Sequence, residues 1–114
     1  MNLTRHIDYD ALNALKEIME DDFGFLIETF IEDSNDRVQK LCGLASAPDT
    51  DAIRRIAHSF KGSCSNLGAV RLAVLCFDLE QNALNQKFES LPEDIADIEQ
   101  EFLIIKQMML DFLD

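Results

Sequence analysis

Two histidines, His6 and His58, are the residues in this chain best suited to chemistry, because an imidazole nitrogen can act as a nucleophile near neutral pH. His6 precedes the first helical pattern in a polar stretch, where a solvated terminal side chain is the expectation. His58 lies inside an apolar periodicity, in the run AHSFKGS. At about 100° per residue, the stripe of Ile53, Ile56, Ala57, Phe60, Cys64 and Leu67 defines an inward direction, and His58 points about 140° away from it. The ring is therefore expected on the solvent side. On the same wheel Arg54, Lys61 and Ser65 fall to one side of His58, with Gly62 and Arg55 on the other. A few of only ten cations thus gather around one imidazole in an otherwise acidic protein, which makes a local anion site. Lys61, three residues on, can reach a group attached to the ring. Gly62, four residues on, opens space beside it at a helix-propensity cost of about 1 kcal/mol relative to alanine. This arrangement suits phosphoryl chemistry.

Other chemistries fit less well. A metal site in a helical bundle needs Glu-x-x-His pairs, and Arg55 stands where such a glutamate would precede His58. No metal is expected. Cys42, Cys64 and Cys76 are odd in number and widely spaced, so they form neither a disulfide framework nor a CxxC motif. Each sits among apolar residues at helical spacing and reads as a small hydrophobe.

The elements that must position His58 follow from punctuation and periodicity. Asp8 is placed to cap a first short helix, with Ile7 stapling against Leu12 and the stripe continuing through Leu15 and Ile18 to an end near Glu20. A long second helix begins at Asp21 or Asp22 and repeats Phe23, Ile27, Phe30, Val38 and Leu41, with Ser34 as a weak point, ending near Ser46. Pro48 and Asp49 break the chain, and Asp49 or Thr50 caps the third helix, which Gly68 stops. A fourth helix runs from about Ala69 to Asn85 with Leu72, Leu75, Cys76, Leu79 and Ala83 inward, followed by the loop NQKFES. Ser90 and Glu93 have capping-box spacing, and Leu91, Ile95, Ile98, Phe102, Ile105, Met109 and Phe112 alternate by four and three along the last helix. With no strand-period segment, the predicted fold is all-α: an antiparallel four-helix bundle with a short additional N-terminal helix, one domain over 1–114.

The segment AHSFKGSCSNLGAVRLAVLCFDLE, residues 57 to 80, resembles the signature of histidine-containing phosphotransfer domains: a small residue, His, two variable positions, Lys-Gly-Ser, then downstream Asn-Leu-Gly and Leu-Glu. The similarity in size and helix order extends over essentially the whole chain. The resemblance implies that His58 is the phosphoacceptor, that Lys61 helps neutralise the phosphoryl oxygens, with Arg54 as a second cation, and that Gly62 gives a partner room to approach. Ser63, Asn66 and Gly68 also match and are assigned to packing and helix termination, and Ser65 joins Gly62 and Gly68 in shaping the helix around the site. The implied partners are receiver domains of a hybrid sensor kinase and a response regulator, which carry Mg²⁺ in their own acidic pocket. This chain then needs no cofactor and is a phosphocarrier without autokinase activity.

Two alternatives remain at this point. Histidine kinases place an acidic residue directly after the reactive histidine, whereas Ser59 follows here, and no ATP-binding domain fits in 114 residues, so a kinase dimerisation fragment is the weaker one. The other is a helical interaction module in which His58 is incidental. Phe25 projects opposite the core stripe of its helix; it belongs either to a partner surface together with Arg55 or beneath the first helix. Glu80 is solvated or hydrogen-bonds between helices. With 22 acidic against 10 basic residues the net charge is −12, which disfavours nucleic acid and anionic lipid, and no stretch approaches the roughly 18 apolar residues of a membrane span. The first segment lacks the apolar run of a signal peptide. A cytoplasmic monomer is the resulting expectation.

Overall fold

Asp8 begins the first helix by chemistry its sequence position predicts: extended backbone at Asp8 lets its carboxylate accept the Ala11 N–H at 3.2 Å. A computed structural model describes residues 5–46 and 49–113. It contains α1 (Tyr9–Met19), α2 (Phe23–Leu44), α3 (Thr50–Asn66), α4 (Val70–Leu84) and α5 (Leu91–Leu113), with single 3₁₀ turns at Glu20–Asp22 and Phe88–Ser90. No strand occurs among the described residues. Helix α2 packs on α3 and α5, and α4 packs on α3 and α5, so these four helices close the predicted bundle with α1 lying against α2. The inward stripes meet in one core in which Phe60, Phe102, Ile27, Leu41, Ile53, Leu72 and Leu79 are fully buried.

The departures from expectation are local. Ile18 does not continue the α1 stripe: it is 76% exposed, because the helix ends one residue later and turns away at Glu20 through a positive φ of 51°. The break at Asp49 is as read, with its carboxylate accepting the Ala52 N–H at 3.1 Å, while Pro48 lies outside the described residues. The Ser90–Glu93 capping box does not form. Ser90 Oγ instead donates to Asp94 Oδ2 at 3.1 Å, and Asn82 of α4 donates to the same oxygen at 2.9 Å, so Asp94 draws the 3₁₀ turn and α4 together. Ser34 is fully buried on α2, and its hydroxyl has no partner among the described residues, a real weak point in that stripe.

His6 is not a free terminal side chain. Its Nδ1 lies 2.7 Å from Oε2 of Glu101, a carboxylate on α5 that is only 3% exposed and whose other oxygen is 3.4 Å from Arg71 Nε on α4. A carboxylate removed from water requires such partners, and the apolar periodicity of α5 gave no hint of an acid at this depth. His6 therefore straps the N-terminal segment across the bundle, with Ile7 buried behind it and the Asp8 N–H donating to the Gly68 carbonyl at 2.8 Å.

Gly68 does more than stop α3. The Gly68 N–H donates to the Ser65 carbonyl and the Ala69 N–H to the Cys64 carbonyl, a Schellman ending in which Ala69 and Cys64 are both buried. Gly68 adopts φ +75°, and a Cβ there would stand 2.9 Å from the Asp8 carbonyl oxygen. Both the left-handed backbone and the close approach of the N-terminal strap exclude a side chain. Gly68→Ala is expected to lower stability by about 1–3 kcal/mol, read as a reduced urea midpoint with helical circular dichroism retained. A midpoint equal to the parent's would show that the strap and turn yield freely.

Candidate functional site

His58 stands midway along α3 with its side chain 67% exposed, so the imidazole is on the outside of the bundle as the wheel requires. Its orientation is set from the neighbouring helix. Glu80 of α4 places Oε2 2.8 Å from His58 Nδ1 and accepts a hydrogen bond from Lys61 Nζ at Oε1, 3.2 Å away. An ionised carboxylate can only accept, so in the neutral ring Nδ1 carries the proton and Nε2 the lone pair.

Glu80 is the residue whose place sequence reasoning left open, and it corrects the picture of a purely basic island. Partial burial acts to raise its carboxyl, but hydrogen bonds and charge from Lys61 and His58 outweigh that effect and hold it below the usual carboxylate range. Lys61 is accordingly not a free cation: it is bound to Glu80 and also lies 5.2 Å from the centre of the Phe77 ring. Arg54 is 3.7 Å from Asp51 on its own helix. Gly62 is exposed and a Cβ there would meet nothing within 4 Å, so the space expected beside the ring exists. Ser65 is exposed one turn further on and contributes its carbonyl to the Schellman ending, while Gly68 sits at the buried turn and not beside the imidazole.

Arg55 is exposed, and Phe25 is 63% exposed on α2, which settles that Phe25 does not pack beneath α1. Sequence reasoning missed Arg37 of α2, whose Nη2 donates to Ser59 Oγ at 3.0 Å directly beside His58 and whose guanidinium lies 5.8 Å from the Phe60 ring centre. Only the pairing of α2 with α3 reveals that neighbour. The thiols take no part: burial, reinforced by Cys76, holds Cys64 well above its ordinary range, and Cys42 is raised by burial and by Glu99. Among the described residues no group of three or more His, Cys, Asp or Glu side chains is placed to hold a metal ion, and no helix is long and apolar enough to cross a membrane.

Fold and site define a helical-bundle protein that displays one surface imidazole braced by an adjacent helix. The model of the Hpt domain family matches residues 26–109, and the chain belongs to that family. Membership of this family makes the chain a phosphotransfer intermediate. Among solved structures it is similar to histidine-containing phosphotransfer protein B (HptB) from Pseudomonas aeruginosa PAO1, with 40% identity and a TM-score of 0.90 over 93% of this chain and 92% of that one. The maize histidine-containing phosphotransfer protein ZmHP2 shares the fold at 18% identity, with a TM-score of 0.86 over 96% of this chain and 90% of that one. Comparison with curated proteins yields no match.

The Glu80 bridge has a measurable consequence. Its folded value is depressed, so its stabilisation is present above the carboxyl's unfolded value and is lost as pH falls through the folded one. Lys61→Ala is expected to shift the Glu80 side-chain carboxyl titration upward in carbon-detected NMR. An unmoved titration would show that the lysine does not sustain the depression.

Proposed function

We propose that this chain accepts a phosphoryl group on His58 from a receiver-domain aspartate and passes it to another receiver domain. The observation that carries the reading is the 67% exposed imidazole with Nδ1 held by Glu80, which turns the nucleophilic Nε2 toward an incoming protein.

In the accepting direction, the Nε2 lone pair forms a bond to phosphorus while the bond from phosphorus to the aspartyl oxygen breaks, its electron pair returning to the receiver as a free carboxylate. The ring then carries both the phosphoryl group and the Nδ1 proton, and Glu80 offsets the positive charge that develops there. The donating direction reverses each step. Mg²⁺ belongs to the receiver, where it neutralises phosphoryl oxygens. Lys61 lies within one helical turn of the ring and supplies a second positive charge to those oxygens, exchanging part of its contact with Glu80 for them. Arg54 adds to the field from the preceding turn. Gly62 leaves the space into which the partner's reacting aspartate fits. The scaffold contributes position: a buried stripe on one side of α3 holds the opposite side still.

Mixing the protein with a phosphorylated receiver and Mg²⁺ is expected to transfer an acid-labile, base-stable label to this chain, and His58→Gln is expected to abolish it without changing the thermal midpoint. Label that survives in His58→Gln sinks the assignment; binding without label makes the chain an interaction module. Lys61→Ala is expected to slow transfer about tenfold, equivalent to about 1.4 kcal/mol of barrier, with near-parental stability. A parental rate in single-turnover mixing removes the role given to Lys61.

A further inference from the structure

The cations around His58 fall into two groups that the acidic side chains treat differently. On the side facing α4, Lys61 is bound to Glu80 and Arg54 to Asp51. On the other side, about 40°, 60° and 100° around α3 from His58, lie Gly62, Arg55 and Ser59, and Ser59 receives Arg37 from α2. Among the described residues no carboxylate forms an ion pair with Arg37 or Arg55, although the chain has 22 acidic residues. Two guanidinium groups without an ion pair, on the side of α3 where Gly62 leaves open space, constitute a charged rim for an external anion.

Arg37 is also preorganised. Ser59 Oγ holds one end of its guanidinium and the Phe60 ring lies against it, so little side-chain freedom is lost when the remaining N–H groups engage a ligand. A planar fork of this kind matches carboxylate and phosphoryl oxygens. An acidic receiver pocket carrying a phosphoryl group stays net negative around one divalent cation, and so is complementary to this rim but not to the acidic surface elsewhere.

We infer that Arg37 and Arg55 form the recognition rim by which the acidic pocket of a receiver is drawn to His58 from the α2 side, with Arg37 the main determinant of encounter rate. The inference rests on the phosphotransfer reading of His58 and adds to it the contacts that select the partner. Lys61 and Arg54, already satisfied within the chain, are left to act after docking.

The test is the second-order rate of transfer from a phosphorylated receiver, measured against ionic strength for Arg37→Glu, Arg55→Glu, Ser59→Ala and Lys106→Glu. Lys106 lies on α5, which packs on α2 and α4 and is not a neighbour of α3, and its reversal changes net charge by the same amount. At low salt Arg37→Glu is expected to lower the rate at least tenfold and to flatten its salt dependence. Arg55→Glu should do so by a smaller factor, and Ser59→Ala, which frees Arg37 but keeps its charge, should slow transfer about two- to fivefold with the salt dependence retained, while Lys106→Glu stays within about twofold of the parent. Equal effects of Arg37→Glu and Lys106→Glu would overturn the inference, as would a loss in Ser59→Ala matching that of Arg37→Glu, since Arg37 would then act by bracing α3. Either result leaves His58 labelled and the phosphotransfer reading standing. Failure of the parent protein to take label at His58 removes that reading and the recognition rim with it.

Discussion

One carboxylate on α4 organises the exposed face of α3. Glu80 accepts from His58 Nδ1 and Lys61 Nζ through its two oxygens, and those contacts keep it ionised despite partial burial. An exposed imidazole on a free helix samples several rotamers and both tautomers; tied at Nδ1, it presents Nε2 outward. The same contact prevents Lys61 from sweeping the solvent. In the proposed mechanism the carboxylate thus prepares nucleophile and cation together, before any partner arrives.

That contact requires α3 and α4 to lie at fixed register and separation, and the turn between them supplies both. The Schellman ending at Gly68 reverses the chain within three residues and buries Ala69 against Cys64, so α4 begins directly under the end of α3. The N-terminal strap then locks the turn from outside, through the Asp8 to Gly68 hydrogen bond, the burial of Ile7 and the contact between His6 and Glu101. A deeply buried acid is a costly element. Here it joins the N-terminal segment, α4 and α5 at one point, with Arg71 as the second partner.

Charge placement separates scaffold from surface. The chain is strongly acidic, yet four of its ten cations, Arg37, Arg54, Arg55 and Lys61, lie on or beside α3. Two are consumed by internal carboxylates and two are not. A protein of net charge −12 repels most anions at long range, so a local cationic rim confers selectivity as well as attraction. Exposed apolar residues such as Phe25 and Phe77 add area to a surface that is otherwise polar.

Much of the architecture was legible in the residues, because amphipathic helices announce themselves by period and caps act within a few positions. The stripe from Ile53 to Leu67 was enough to place His58 on the outside, with Lys61 and Gly62 one turn away, and the capping at Asp8 and Asp49 and the stop at Gly68 were likewise local. What lies between helices was not legible. Ile18 fits the α1 period but emerges into solvent because the helix ends before another element covers it. Ser90 and Glu93 have the spacing of a capping box, yet Asp94 outcompetes Glu93 because Asn82 of α4 already holds it in place. His6 with Glu101, His58 with Glu80 and Ser59 with Arg37 are pairs separated by 95, 22 and 22 residues. A helical wheel reports the direction of each side chain relative to its own axis and nothing about the neighbour it meets. The sequence by itself therefore determined that His58 is displayed, whereas only the packing of the elements against one another decided that His6 is tied to Glu101, which nitrogen of His58 faces outward and which cations remain unpaired.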